Sequence, residues 1–400
     1  MKFDAVVVGA GPSGSTTAKN LASKGIKVLL VDKEKFPRKK PCGGGLPLRT
    51  LERFPFIKDM NVIESYSYGG YVHSPSLKNT IEIKKQEPVI AMVQRDKFDQ
   101  SLVDLAVDRG TLFMDNKVVK DIDIKLYNAR VSFLDGTSVI TDLVIGADGF
   151  RSIVANKTGL SRNKPFFGIC ILEEFPLQSE IIRNLYTANH FCHIFSKFHG
   201  IMGYGWVFPK KKYVNVGLVT YKIKKTERYK KLNLKRIFYE YLSFLQKTHV
   251  LPSSLKSTKM QAGLLPVQPL HKTYTDRVLL CGDAAGLINP ISGEGIYYAL
   301  VSGDIAGKVA VNAIKSQDTS ERFLSRYQKE WNQDFGKEIK LLLKTKDQWG
   351  KEGERVVELM KNDKKFAELI FTIMMGKESA YDLRWKLIKR YLYTKIHTAR

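Results

Sequence analysis

Cys42, Cys170, Cys192 and Cys281 are the only cysteines in 400 residues. None belongs to a CxxC pair, so neither a zinc site nor a redox pair is signalled. Free thiols are expected of an intracellular chain, and Cys281, inside an apolar strand, reads as core. No window comes near the ~20 uninterrupted apolar residues that a membrane-spanning helix needs. Met1-Lys2-Phe3-Asp4 leads straight into a strand, which leaves no room for a signal peptide and implies an intracellular location. GxSxG, Walker and HExxH motifs are missing, so hydrolase and NTPase chemistry has no support. Acidic side chains are scarce: 40 Asp and Glu stand against 65 Lys and Arg, a formal net charge of +25. That excess, densest from Lys222 to Arg236, suits a solvated Lys-rich surface, an anionic membrane face, an acidic protein or nucleic acid. No RNA-binding fold signature accompanies it, and no nucleic-acid partner is expected.

What the chain does have is glycine in informative places. Phe3–Val8 is a short Val-rich run that reads as a buried parallel strand. Gly9-Ala10-Gly11-Pro12-Ser13-Gly14 follows, then helix-compatible sequence to Ser23, a stop at Gly25, a second strand over Lys27–Val31, and Asp32 at its end. This is a complete βαβ dinucleotide fingerprint. Gly9 permits the tight turn, Gly11 lets backbone approach a pyrophosphate and Gly14 lets helix and strand pack closely. The helix N-terminus offers N–H groups to phosphates, and Asp32 is placed to accept ribose hydroxyls. Pro41-Cys42-Gly43-Gly44-Gly45-Leu46 cannot be regular structure and reads as a ligand-contacting loop. A third strand, from Asp142, ends in Gly146-Ala147-Asp148-Gly149, and a fourth, Arg277–Cys281, ends in Gly282-Asp283-Ala284-Ala285-Gly286. Gly293 and Gly295 then precede a long helix from Ile296 to Ser316.

Between these sites, residues 62–93 alternate as strands and 94–108 show helical spacing. Residues 161–260 are richer in aromatic and β-branched side chains, as for an antiparallel sheet over a cavity, followed by a basic helix over about 222–248. Residues 317–400 are helical by pattern, with Trp331 and Trp349 expected to pack between helices. Four hundred residues exceed one compact core. The expected division is a discontinuous cofactor domain (1–60, 95–160, 261–316), a substrate domain (61–94, 161–260) and a C-terminal helical region (317–400). His190, Cys192, His193 and His199 form an HxCH-like group, but the spacing alternates as in a strand, and no metal site is expected.

Together the three glycine sites resemble the glutathione-reductase-type FAD fold of flavoprotein hydroxylases and geranylgeranyl reductases. The fold class expected is α/β: an FAD-binding Rossmann domain, an antiparallel-sheet substrate domain and a C-terminal helical region. Within that superfamily, Pro41–Leu46 looks like the PCGGG segment of the geranylgeranyl reductase family. Tyr204-Gly205-Trp206-Val207-Phe208-Pro209 is similar to that family's YxWxFP substrate motif, with Ile201 where a proline commonly stands. Gly286 occupies a position where aromatic hydroxylases usually place His. The resemblance implies that Ser13, Asp32, Cys42, Gly43, Gly45, Arg95, Val119, Asp283, Gly295 and Ile296 line FAD. Lys33, Gly44, Asp148, Gly282 and Gly293 would stand beside them. It further implies reduction of isolated prenyl double bonds, with Tyr204, Trp206 and Phe208 against an isoprenoid lipid and Cys42 beside the flavin. A peripheral, cytoplasmic-side membrane association would follow from such a substrate. The electron donor would be external, a ferredoxin or NAD(P)H, and the lack of a second GxGxxG unit for a nicotinamide favours the ferredoxin. The rival readings are an FAD monooxygenase of an aromatic or quinone, a related halogenase (whose WxWxIP motif has Trp where Tyr204 stands), a reductase of a quinone tail, and a non-catalytic flavin protein.

Overall fold

The computed structural model describes residues 1–161, 167–222 and 233–398, with backbone alone at Lys222, 347–350 and Thr398. The chain divides into two compact units, each drawn from three segments. The first holds Met1–Lys40, Arg95–Pro165 and Leu265–Ile339; the second holds Pro41–Gln94, Phe166–Leu264 and Lys340–Arg400.

The first unit is built on β1 (Lys2–Val8), α1 (Pro12–Ala22) and β2 (Val28–Val31). Both strands are buried almost throughout, as their unbroken apolar runs require of a sheet covered on both faces. β1 pairs in parallel with β2 on one side and with the strand Ser138–Gly146 on the other. Val278–Leu280 adds in parallel beyond Ser138–Gly146, and Leu112–Met114 adds in parallel beyond β2. Strands Val119–Ile124 and Ala129–Phe133 form an antiparallel meander onto Ser138–Gly146. The long helix Ile296–Lys315 packs on α1 at glycine: Gly303 lies against the Ser13 backbone, and its carbonyl accepts the Thr17 hydroxyl at 2.9 Å. Trp331 is buried here, stacked on Phe335 with its indole N–H donated to Thr273, as expected of a packing residue.

The second unit contains a seven-stranded sheet in the order Gln261–Pro266, Phe167–Pro176, Tyr213–Lys222, Gly203–Pro209, Cys192–Ser196, Gly69–His73, Thr80–Lys84. Within this sheet, Phe167–Pro176, Tyr213–Lys222, Gly203–Pro209 and Cys192–Ser196 pair antiparallel in turn, as do Gly69–His73 and Thr80–Lys84. Cys192–Ser196 instead runs parallel to Gly69–His73, because those two strands come from distant parts of the chain and meet without a hairpin. Its core includes Phe195, Phe198, Val207, Val216, Leu218, Phe238 and Tyr241. A three-stranded sheet joins Gly45–Pro47 to Ile90–Val93 and Ile63–Ser67.

These groupings differ from the expected boundaries. Residues 41–60 belong with the second unit, because Gly45–Pro47 takes its ladder from Ile90–Val93. Residues 317–339 belong with the first, where Tyr298 donates to Glu338 and Trp331 to Thr273. From Lys340 onward the helices join the second unit, through Ser76 with Glu354 and Lys85 with Glu368. The basic segment is helical over Leu234–Lys247; residues 223–232 of the Lys222–Arg236 run lie outside the described residues, as does the Trp349 side chain. Among the described residues, no helix is long and apolar enough to cross a membrane.

Candidate functional site

In the first unit the three glycine sites converge. Gly9, at φ 101°, lies so close to Ala147 and Asp148 that a Cβ on it would sit 2.4 Å from the Ala147 carbonyl oxygen. A Cβ on Gly282 would sit 2.7 Å from the Ser13 hydroxyl. The first motif therefore touches both the second and the third. Gly11 differs from its neighbours: a Cβ there would meet only the Arg38 guanidinium, at 3.5 Å. It is also the N-cap of α1, which has no side-chain cap and no acid in its first turn. A helix N-terminus left bare in this way favours an anion.

Asp32 ends β2 with its carboxylate fixed, accepting the Ala10 N–H at 2.8 Å and the Glu34 N–H at 2.9 Å. Lys117 donates its N–H to the Asp32 carbonyl, which brings the segment leading to Val119 alongside. Arg95 is buried and grips Asp99 through Nε at 2.8 Å and Nη2 at 2.7 Å. Arg38, which carries no motif in the sequence, reaches Asp99 at 3.0 Å and Asp32 at 3.8 Å. Two arginines and two aspartates thus form one buried, charge-balanced cluster beside the glycine turn. Half of it was visible in sequence, as the i,i+4 spacing of Arg95 and Asp99 on one helix; Arg38 comes from a loop with no such signal. Lys33 stands apart, exposed, 4.0 Å from Glu34.

Asp148 caps the short helix Ile153–Lys157 by accepting the Ile153 and Val154 N–H groups with Oδ2, while Oδ1 is buried without a partner. Burial raises its pKa above the ordinary carboxylate value. Asp283 sits in the short 3₁₀ turn Gly282–Ala284, 3.7 Å from Lys40 Nζ and beside Gly295. Gly293, at φ 69°, ends the loop that Asn289 braces by accepting the Ile291 and Ser292 N–H groups. Gly295 is the N-cap of Ile296–Lys315, whose first-turn N–H groups have no intrahelical acceptor. A close-approach cradle at Gly11, a bare helix end, a fixed carboxylate and a second helix end facing Asp283 together suit the pyrophosphate, ribose and electron-rich ring of a dinucleotide.

In the second unit the Pro41–Leu46 loop lies on an aromatic wall. Tyr204, Trp206 and Phe208 alternate along one strand and so share a face. Their ring centroids are 5.9 Å and 6.2 Å apart. Gly43 packs flat on this wall, where a Cβ would meet the Phe208 ring at 3.0 Å and the Trp206 indole nitrogen at 3.4 Å. Gly44, at φ 76°, is closed in by the Val93 carbonyl and the buried amine of Lys210, which pairs with Glu174. Gly45 abuts Ile90. Gly217 on the neighbouring strand makes room for the Trp206 ring. Asn215, a residue with no sequence signal, ties loop to wall: it accepts the Trp206 indole N–H at 2.8 Å and donates to the Cys42 carbonyl at 3.1 Å. The Cys42 sulfur accepts the Gly44 N–H at 3.4 Å. Ile201 has φ −61° and ψ 142°, a conformation proline shares, so the chain keeps the bend that a proline would fix.

The histidines do not gather. His193 stacks with His73 on the adjacent strand, ring nitrogens 3.1 Å apart, while His199 pairs with Glu240. Burial lowers the pKa of His73 to about 4 and that of His193 to about 3, the latter with help from its partner. The native protein therefore binds fewer protons than the unfolded chain between those values and about 6.5. Stability is expected to be full above pH 6.5 and to fall on acidification, by up to about 1.4 kcal/mol per pH unit for each histidine. Urea titrations at pH 7.5 and 5 check this, since replacing both residues with Phe should remove that part of the slope.

Three comparisons complete the picture. A family model described as an FAD binding domain matches residues 2–331. The chain is 33% identical over 339 residues to the digeranylgeranylglycerophospholipid reductase of Methanocaldococcus jannaschii, covering 83% of this chain and 82% of that protein. Among solved structures, a geranylgeranyl bacteriochlorophyll reductase-like protein of Thermoplasma acidophilum superposes with a TM-score of 0.79 at 23% identity, covering 96% and 98% of the two chains. A flavin-dependent brominase superposes with a TM-score of 0.75 at 18% identity, covering 98% and 99%, which shows the same fold.

Proposed function

The chain belongs to the geranylgeranyl reductase family of FAD-dependent oxidoreductases, and from that premise we propose that it saturates isolated double bonds in the geranylgeranyl chains of archaeal-type membrane lipid precursors. FAD is its cofactor. The residues that would hold it are the Gly9–Gly14 turn and Asp32 at the adenosine end, the Arg38–Arg95–Asp99 cluster beside them, and Asp283, Gly295 and Ile296 at the ring end. Bound and reduced, FAD supplies a hydride equivalent.

The observation that carries the substrate reading is the loop–wall unit: the Cys42-Gly43 backbone laid on Trp206 and Phe208 and tied there by Asn215. An isolated alkene has no carbonyl to polarise, so shape and dryness must orient it. Tyr204, Trp206 and Phe208 supply apolar surface, and their ring faces tolerate positive charge developing on a substituted carbon. Asn215 satisfies the Trp206 indole internally, which leaves that ring without an unpaired donor toward an apolar chain. Cys42 is the residue we assign to the proton: its thiol proton goes to the carbon that does not receive the hydride, and the thiolate is reprotonated from solvent. The electrons come from an external donor, a ferredoxin or NAD(P)H.

The test is anaerobic. Protein reduced with dithionite and given a geranylgeranyl phospholipid is expected to reoxidise its flavin and to yield lipid heavier by two hydrogens per reduced bond. Flavin that reoxidises only when oxygen is admitted, with lipid mass unchanged, would overturn the reductase in favour of a monooxygenase.

A further inference from the structure

We propose that the C-terminal helix Ala380–Thr398 is a docking element that lies in the surface of an anionic lipid bilayer. The helix is held firmly on one side. Arg390 grips Asp363 at 2.6 Å and 2.7 Å, Thr394 donates to the same carboxylate, and Leu383 is buried. Its other side is bare and apolar. Trp385, Ile388, Leu392 and Ile396, spaced i, i+3, i+7 and i+11, are 62%, 45%, 51% and 66% exposed, with Tyr393 beside them. Elsewhere among the described residues, exposed large apolar side chains occur singly or as adjacent pairs rather than in a stripe.

Charge identifies the occupant. On a helical wheel of 100° per residue, Arg384 and Lys395 flank the stripe on one side and Lys386 and Lys389 on the other, against the single acid Asp382. Lys386, Lys389 and Lys395 are exposed. A second copy of the chain docking here about a two-fold axis would set these cations against their own counterparts. An acidic bilayer surface instead receives the apolar stripe among its acyl chains and the lysines among its head groups, with Trp385 at the boundary. The inference rests on the helix and not on the proposed reaction, although a lipid substrate and a lipid surface would be found together.

The experiment floats the full-length, FAD-loaded protein with vesicles on a density gradient, using phosphatidylcholine alone and phosphatidylcholine mixed with phosphatidylglycerol. Binding is expected at least about tenfold tighter to the anionic vesicles. Because the net charge of +25 alone attracts such vesicles, the deciding variant is apolar: I388S/L392S/I396S should weaken binding at least about tenfold with flavin absorbance unchanged. A second variant, K386E/K389E/K395E, should reduce the preference for anionic lipid without removing it, since the rest of the chain stays strongly cationic. Wild-type protein that stays out of both vesicle types overturns the inference. So does a triple-serine variant that floats like wild type, or one whose only change is a dimer falling to monomer in sedimentation. Flotation by a chain inactive on prenyl lipids would leave the docking intact and remove the reductase reading; activity on detergent-dispersed lipid without flotation would do the reverse.

Discussion

Gly14→Ala is expected to yield a destabilised protein that binds FAD at least about a hundredfold more weakly. The added methyl would lie 1.8 Å from the Gly9 carbonyl oxygen and 3.1 Å from the Ala147 Cβ. Gly9 cannot retreat, since it is already wedged at positive φ against the Ala147 carbonyl. The turn must therefore open, and with it the contact between the first and second glycine sites. Gly11→Ala provides the contrast. Its methyl meets only the Arg38 guanidinium at 3.5 Å, so the apoprotein should melt like wild type while FAD affinity falls. Thermal denaturation of the apoprotein, set beside a flavin titration of each variant, separates the two. Equal FAD affinity in Gly14→Ala and wild type would show that the turn does not cradle the cofactor.

Asp99→Leu is the second change with a large expected effect. Asp99 is fully buried and is the acceptor for Arg95 and for Arg38, both nearly buried themselves. Removing it strands two guanidinium groups, and breaking a buried pair in this way costs about 3–5 kcal/mol. Asp99→Asn keeps an acceptor and should cost less. Arg38→Ala leaves Asp99 still gripped by Arg95 and should cost least in stability while weakening FAD binding, because Arg38 spans Asp99, Asp32 and the Gly11 turn. Urea unfolding of the three apoproteins gives the order, and a result in which Asp99→Leu matches wild type would dismiss the cluster as a stabilising feature.

Much of this site was legible in the sequence because its signals are local. β1, α1 and β2 follow from adjacent residues, and the later glycine turns each sit at the end of an apolar strand. The aromatic wall is equally local, an alternation along one strand. What could not be read depends on partners far along the chain. Arg38 gains its role from Asp99, and Asn215 from Cys42 and Trp206, pairings that no spacing announces. Residues 41–60 joined the second unit through three residues of ladder, too short a strand to show a period. The C-terminal helix is the instructive case. Its apolar repeat fixes only that residues share a face and leaves open whether that face turns inward.

The alternation of the chain between two units, three segments to each, has a bearing on synthesis and truncation. β1 emerges first, but its neighbour Ser138–Gly146 comes after a full excursion into the other unit, and Val278–Leu280 after a second. The Ser13 turn is closed by Gly282 and Gly303, which leave the ribosome later still. No early fragment therefore contains a finished cofactor site, however complete its βαβ fingerprint. A nascent chain halted before Val278 leaves the Val144–Gly146 edge of its parallel sheet unpaired, a form prone to aggregate. Flavin capture should thus begin only after most of the chain has been made, so that truncations from the C-terminal side lose FAD abruptly near Gly303 rather than by degrees.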